Sequence, residues 1–179
     1  MGDGLFSAIW LHRMMFVALA IGLLFLRLLP IGVGGNGFPG PDILLCLIFC
    51  WTIRRPDYLP ILLVAVVVLV EDMIVVRPPG LWTAIVVIST EFIRARTGLT
   101  RELNFSVEWL LVAAVMVAAF LANRLVLAAA FIPQPGFGFA MVQVIWSIVC
   151  YPAIVGLSWL ALDIRKPAMG EVDAKGRRL

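Results

Sequence analysis

Apolar residues fill this chain in long runs, and the polar positions between them are few enough to be read one by one. Six runs stand out, at about 14–29, 42–53, 59–76, 81–93, 107–132 and 139–164. The longer ones match the ~30 Å hydrocarbon core of a bilayer at 1.5 Å rise per helical residue, so each is expected to be a spanning helix. The second and fourth are short, and Arg54, Arg55, Arg94 and Arg96 at their ends are expected to snorkel to the interface. Ahead of the first run, Leu5, Phe6, Ile9 and Trp10 share helical spacing, which predicts a stretch lying along the interface. Pro30, Pro41, Pro56, Pro60, Pro78, Pro79, Pro133 and Pro135 punctuate the ends of runs. Pro152 instead falls midway along the sixth run. It predicts a kink whose freed carbonyl is left for Ser147 or a neighbouring helix to satisfy. In the fifth run Ala114, Ala118 and Ala122 recur at a spacing of four, a small-residue stripe that lets another helix approach closely and is the candidate packing or partner face.

Composition turns these runs into a fold class. With 63% hydrophobic and 14% charged residues over 179, and a mean hydropathy of +1.05, a soluble domain would not have the polar side chains to cover itself. The expectation is an all-α, polytopic membrane protein. It comprises a six-helix transmembrane domain over 1–166 and a short basic tail over 167–179. Eleven of the fourteen Lys and Arg fall in alternate connections and the tail, and only Arg77 lies in an opposite one. By the positive-inside rule both termini are cytoplasmic. The net charge of +3 therefore reads as topology, not as affinity for nucleic acid. The first run reads as a retained span rather than a cleaved signal. Cys46, Cys50 and Cys150 sit inside apolar runs and read as small buried hydrophobes.

The candidate chemistry is a layer of charge inside the apolar runs. Glu71 and Asp72 are adjacent carboxylates near the outer end of the third run, and a charge at that depth needs a partner. Arg124 in the fifth run lies about 12 Å below its helix end and Glu71 about 10 Å below its own, counting 1.5 Å per residue. A network in the outer leaflet follows as the expectation, with Glu71 and Asp72 on Arg124 at its centre and Arg27, Asp42 and Arg77 nearer the mouth. It serves either to fix helix register, or to bind a partner helix, or to form an ion path. Asn123 and Gln143 are further polar groups at nearby depth. Glu91 and Arg94 are spaced for a helical ion pair. The glycine-rich turn at 32–37 has neither the strand nor the Lys-Ser/Thr of a phosphate loop, and the lone His12 assembles no metal or catalytic cluster. The expectation is a protein without enzymatic activity, cofactor or metal.

Particular strings add a likeness. Gly40-Pro41-Asp42, Arg54-Arg55-Pro56-Asp57-Tyr58-Leu59-Pro60, Glu71-Asp72, Arg77-Pro78-Pro79-Gly80-Leu81-Trp82 and Thr90-Glu91-Phe92 together resemble the MreD family of rod-shape-determining proteins, in its α-proteobacterial form. The likeness covers about residues 40–96, and the family pattern has one acidic residue in the third helix where this chain has two. It implies a multi-pass subunit of the bacterial inner membrane that belongs to the cell-elongation complex. Its implied partners are MreC, MreB, RodA and the penicillin-binding transpeptidase of RodA. It also implies a fold similar to the S components of vitamin transporters. The alternative expectation is a small-molecule binder of that S-component kind, with the glycine-rich turn as a lid over the charged layer.

Overall fold

The computed structural model of the protein describes residues 3–29, 40–100 and 104–162. The glycine-rich turn at 32–37 and the basic tail lie outside the described residues. Within them the chain is all helical. Six α-helices follow in order: α1 Asp3–Leu28, α2 Ile43–Arg54, α3 Ile61–Ile74, α4 Leu81–Thr100, α5 Phe105–Ala129 and α6 Phe137–Leu162, with a 3-10 turn at Pro56–Tyr58 between α2 and α3. The stretch expected along the interface is continuous with α1 instead. α4 also runs past the end of its apolar segment, through Arg94 and Arg96.

Among the described residues three helices are long and apolar enough to cross a membrane: Ile9–Leu28 within α1, then Phe105–Ala129 and Phe137–Leu160. Their outward faces carry large apolar side chains, among them Ile21, Phe25, Leu110, Leu125, Leu157 and Leu160, which is the surface of a protein solvated by lipid. α2 and α3 are shorter, at 12 and 14 residues.

The centre of the bundle is α2. Every residue from Leu44 to Arg54 is buried, under α1, α4 and α6. The run Ile43–Ile53 has no polar face to turn outward and so suits a place enclosed by other apolar helices. Thr52 hides its hydroxyl by donating to Ile48 O at 2.7 Å within the same helix. Phe16, Ala20 and Leu24 form the buried stripe of α1, with Phe16 tilted onto Trp51 at 5.4 Å between ring centres. Against α6, the Cys46 thiol donates to Ser147 O at 3.3 Å. Cys46 and Cys50 are buried as expected, whereas Cys150 is half-buried. Around this axis α3 packs on α1 and α4, and α5 packs on α4 and α6.

Pro152 sits inside α6 and has no N–H for the Ile148 carbonyl one turn back. Trp109 on α5 supplies the missing donor, its indole Nε1–H reaching Ile148 O at 2.9 Å. Ser147, the other donor considered for that carbonyl, is engaged elsewhere: it donates to Gln143 O and accepts from Asp42 N. α3 ends at Ile74, short of the expected 76, because Val76 turns the chain with φ of 56°. Arg77 N then closes the end on Asp72 O at 3.1 Å. Phe131 turns the end of α5 in the same way at φ 54°. Such a conformation costs a non-glycine residue on the order of 1 kcal/mol or more.

The indole-to-carbonyl bond gives a direct test. Trp109→Phe is expected to destabilise the purified protein by about 1 kcal/mol. In a Pro152→Ala background, whose restored N–H serves the same carbonyl, the effect is expected to shrink towards zero. Thermal unfolding of the four proteins of this cycle measures the coupling.

Candidate functional site: two ion clusters and a cavity

Two clusters of buried charge cap the central helix. At its start Asp42 is the N-cap of α2, its carboxylate accepting from Leu45 N at 3.2 Å. Arg27, in the last turn of α1, reaches Asp42 at 3.5 Å with one nitrogen and forms a direct ion pair with Glu71 of α3 through the other. Three helices are thus tied by one guanidinium. It is half-buried while both carboxylates are buried, so the fork does the neutralising that lipid or water cannot.

Asp72 does something different from Glu71. Its Oδ2 accepts from Gly80 N, Thr83 N and Thr83 Oγ1, at 3.2, 3.2 and 2.9 Å. These groups open α4, whose first backbone N–H groups have no partner within the helix. A carboxylate from the preceding helix therefore caps α4 across the Arg77-Pro78-Pro79-Gly80 turn, where its charge is also favoured by the helix dipole.

At the other end of α2 lies a cluster that the sequence reading missed. Arg54 does not snorkel. Its Nη1 lies 2.5 Å from Oε1 of Glu108 on α5, and the Tyr151 hydroxyl of α6 donates to the same oxygen at 3.0 Å. All three side chains are buried, so α2, α5 and α6 are joined here as α1, α2 and α3 are joined at the far end. The signal was present in the sequence, since Glu108 is an acidic residue just inside an apolar run at the level of Arg54. Nearby, Arg94 pairs with Glu91 at 2.7 Å, as the spacing predicted, and also donates to Leu59 O at 2.6 Å.

The expected pairing of Arg124 with Glu71 and Asp72 is overturned. Arg124 donates to Pro135 O at 3.0 Å and lies over the rings of Phe120 and Phe137, 5.8 and 5.4 Å from their centres. Sequence counting measured its depth but not its direction around the helix. α4 stands between α3 and α5, and the Arg124 guanidinium is turned towards the start of α6. Arg77, also expected in the network, lies over the Trp82 ring at 5.5 Å. Of the six residues expected in one network, Arg27, Asp42 and Glu71 are joined directly and Asp72 caps α4. Ala114, Ala118 and Ala122 lie along an exposed strip of α5.

Arg77 and Arg124 meet instead on the lining of a cavity of about 420 Å³ above the start of α2. Asp42, Trp82, Asn123, Gln143 and Ser147 share that lining, with Met116, Phe120, Leu127 and Val144 as its apolar part. Its volume falls in the range of small-molecule sites, ~300–1,000 Å³.

The ion clusters lead to an ordering of variants. Arg27→Leu leaves Glu71 and Asp42 buried without an ion-pair partner in direct contact and is expected to cost about 3 kcal/mol or more, read as loss of folded protein in detergent. Arg124→Leu is expected to cost much less, because no carboxylate depends on it. Glu108→Gln is expected to destabilise through the orphaned Arg54. Pairing Arg54→Met with Glu108→Leu is expected to recover most of that loss, since it removes both buried charges together. No protein-family model, curated protein or solved structure matches the chain.

Proposed function

We propose that this protein is a non-enzymatic scaffold of the bacterial inner membrane, of the MreD kind. In this reading all six helices cross the bilayer in an S-component-like bundle, with both termini cytoplasmic and the Asp42 end outside. The observation that supports it most is how the deep charges are spent. Glu71, Asp42 and Arg27 join one set of helices, Arg54, Glu108 and Tyr151 join another, and Asp72 caps α4. Charges in membrane segments that serve transport or catalysis face a path or a substrate, whereas these are engaged with one another or with a helix end, Asp42 alone of them also reaching the cavity lining.

The proposed partner is a single-span protein such as MreC, and through it MreB, RodA and its penicillin-binding transpeptidase. The exposed Ala114, Ala118 and Ala122 strip of α5 offers such a helix a close approach, where packing rather than the hydrophobic effect drives association in lipid. A second reading, an S-component-like binder of a small molecule, is favoured by the cavity over α2.

Co-purification from detergent separates the two readings. The scaffold predicts a stoichiometric single-span partner. Ala114→Leu together with Ala118→Leu is expected to reduce its recovery several-fold while leaving the melting temperature unchanged, because neither side chain is buried. Recovery of the wild-type chain without any such partner counts against the scaffold. Undiminished recovery with the double variant moves the partner to another face.

A further inference from the structure

We infer that the cavity at the Asp42 end binds a phosphate-bearing anion, held by Arg77 and Arg124. The inference does not depend on the scaffold reading, since a partner helix and a headgroup occupy different parts of the molecule.

The bundle holds its arginines in two different ways. Arg27 and Arg54 each have a buried carboxylate in ion-pair contact. Arg77 and Arg124 have none within salt-bridge distance among the described residues, yet both are half-buried and both line the same cavity. Among the described residues Asp42 is the one carboxylate on that lining, and it is already engaged by Arg27 and by Leu45 N. The cavity thus holds two guanidinium groups and no uncommitted negative charge.

Each guanidinium is held ready by its surroundings. Arg77 lies 5.5 Å from the Trp82 ring centre, and Arg124 lies beside the Phe120–Phe137 ring pair while using one Nη for Pro135 O. A cation–π contact uses none of the N–H donors of a guanidinium, so they stay available for an anion, and bidentate N–H donation is how arginine recognises phosphate. Asn123 and Gln143 add amide donors on the same wall. Met116, Phe120, Leu127 and Val144 give the remainder an apolar lining. A phosphate ester with a short apolar neighbourhood fits both parts. The volume suits a headgroup and the first part of its chain rather than a whole lipid. The same chemistry reaches the site from two sources, an anionic phospholipid or a soluble phosphate ester.

The test uses the full chain purified in detergent, with binding followed by thermal shift and by native mass spectrometry. The probes are phosphatidylglycerol, phosphatidylcholine as the lipid without net charge, and glycerol 3-phosphate as the soluble ester. Phosphatidylglycerol is expected to bind and stabilise, and phosphatidylcholine is not. Arg77→Gln and Arg124→Gln are each expected to weaken binding about tenfold or more, the value of a charge-assisted hydrogen bond. Arg124→Lys is expected to recover only part, since it keeps the charge but loses the fork. Gln143→Glu, nearly isosteric and outside the ion clusters, is expected to weaken binding by placing a negative charge on the lining. It keeps the test sharp should an arginine variant fold poorly. Glycerol 3-phosphate binding as well as phosphatidylglycerol assigns the site to soluble esters, and binding of the lipid alone assigns it to the bilayer. The inference is overturned if neither phosphatidylglycerol nor glycerol 3-phosphate binds, if phosphatidylcholine binds as well as phosphatidylglycerol, or if binding survives all three neutral and acidic substitutions in folded protein. Partner recovery in the same preparations reports separately on the scaffold.

Discussion

The structure depends on how a central helix too short for the bilayer is held in place. α2 has 12 residues, about 18 Å of helix against a hydrocarbon core of about 30 Å. Between lipid-like neighbours, apolar burial gives it no preferred height, because the surrounding helices and the surrounding lipid are equally apolar. Height and register have to come from its ends. At one end Asp42 takes Arg27, and at the other Arg54 takes Glu108. Each pair is joined by a third helix, α3 through Glu71 and α6 through Tyr151, so all helices but α4 are tied to one end of α2 or the other. Asp72 ties α4 in turn, by capping its start from α3.

Most buried hydroxyls elsewhere in the bundle find an acceptor close by, whereas the indole N–H groups of Trp51 and Trp82 are buried without one. Thr52 and Thr90 return their hydroxyl hydrogens to the carbonyl one turn back, and Ser147 does the same while accepting from Asp42 N. Trp109 serves the carbonyl that Pro152 leaves open. In a solvent without hydrogen-bonding capacity each such group would otherwise cost several kcal/mol. The donors come from the same helix where a hydroxyl is available and from the adjacent helix where a proline has removed one.

Much of this was legible in the sequence, and the failures have a common cause. Helix number and the breaks between helices followed from apolar run length and proline. The need for a partner to Glu71 followed from its depth, and Arg27 was named within the same layer. What depth alone does not contain is direction. Counting residues placed Arg124 level with Glu71, but α4 separates their helices, and the side chain faces Pro135. Adjacent carboxylates were treated as a unit although neighbours on a helix point about 100° apart, and Glu71 and Asp72 accordingly serve different helices. Arg54 was read as an end-of-helix charge free to reach water. Only the enclosure of α2 makes it a buried residue in need of Glu108, and that enclosure is a property of the assembled bundle.

The shortness of α2 has one more consequence, which differs between its two ends. Helices α5 and α6 have 25 and 26 residues, so they overrun α2 and leave volume beyond it. Beyond Arg54 that volume is filled by the 3-10 turn and its neighbours. Tyr58 stacks on His12 at 4.4 Å, Arg13 donates to Asp57 O at 3.0 Å, and Arg94 donates to Leu59 O. Beyond Asp42 the described chain provides no such plug, and the space is the cavity that Arg77 and Arg124 line. A bundle that neutralises Arg54 and Arg27 with its own carboxylates has left these two guanidinium groups facing that space. Packing the cavity with apolar side chains would be the simpler way to stabilise the fold. Two cations on the wall of that space, among the described residues, are what an anion from outside the chain would require.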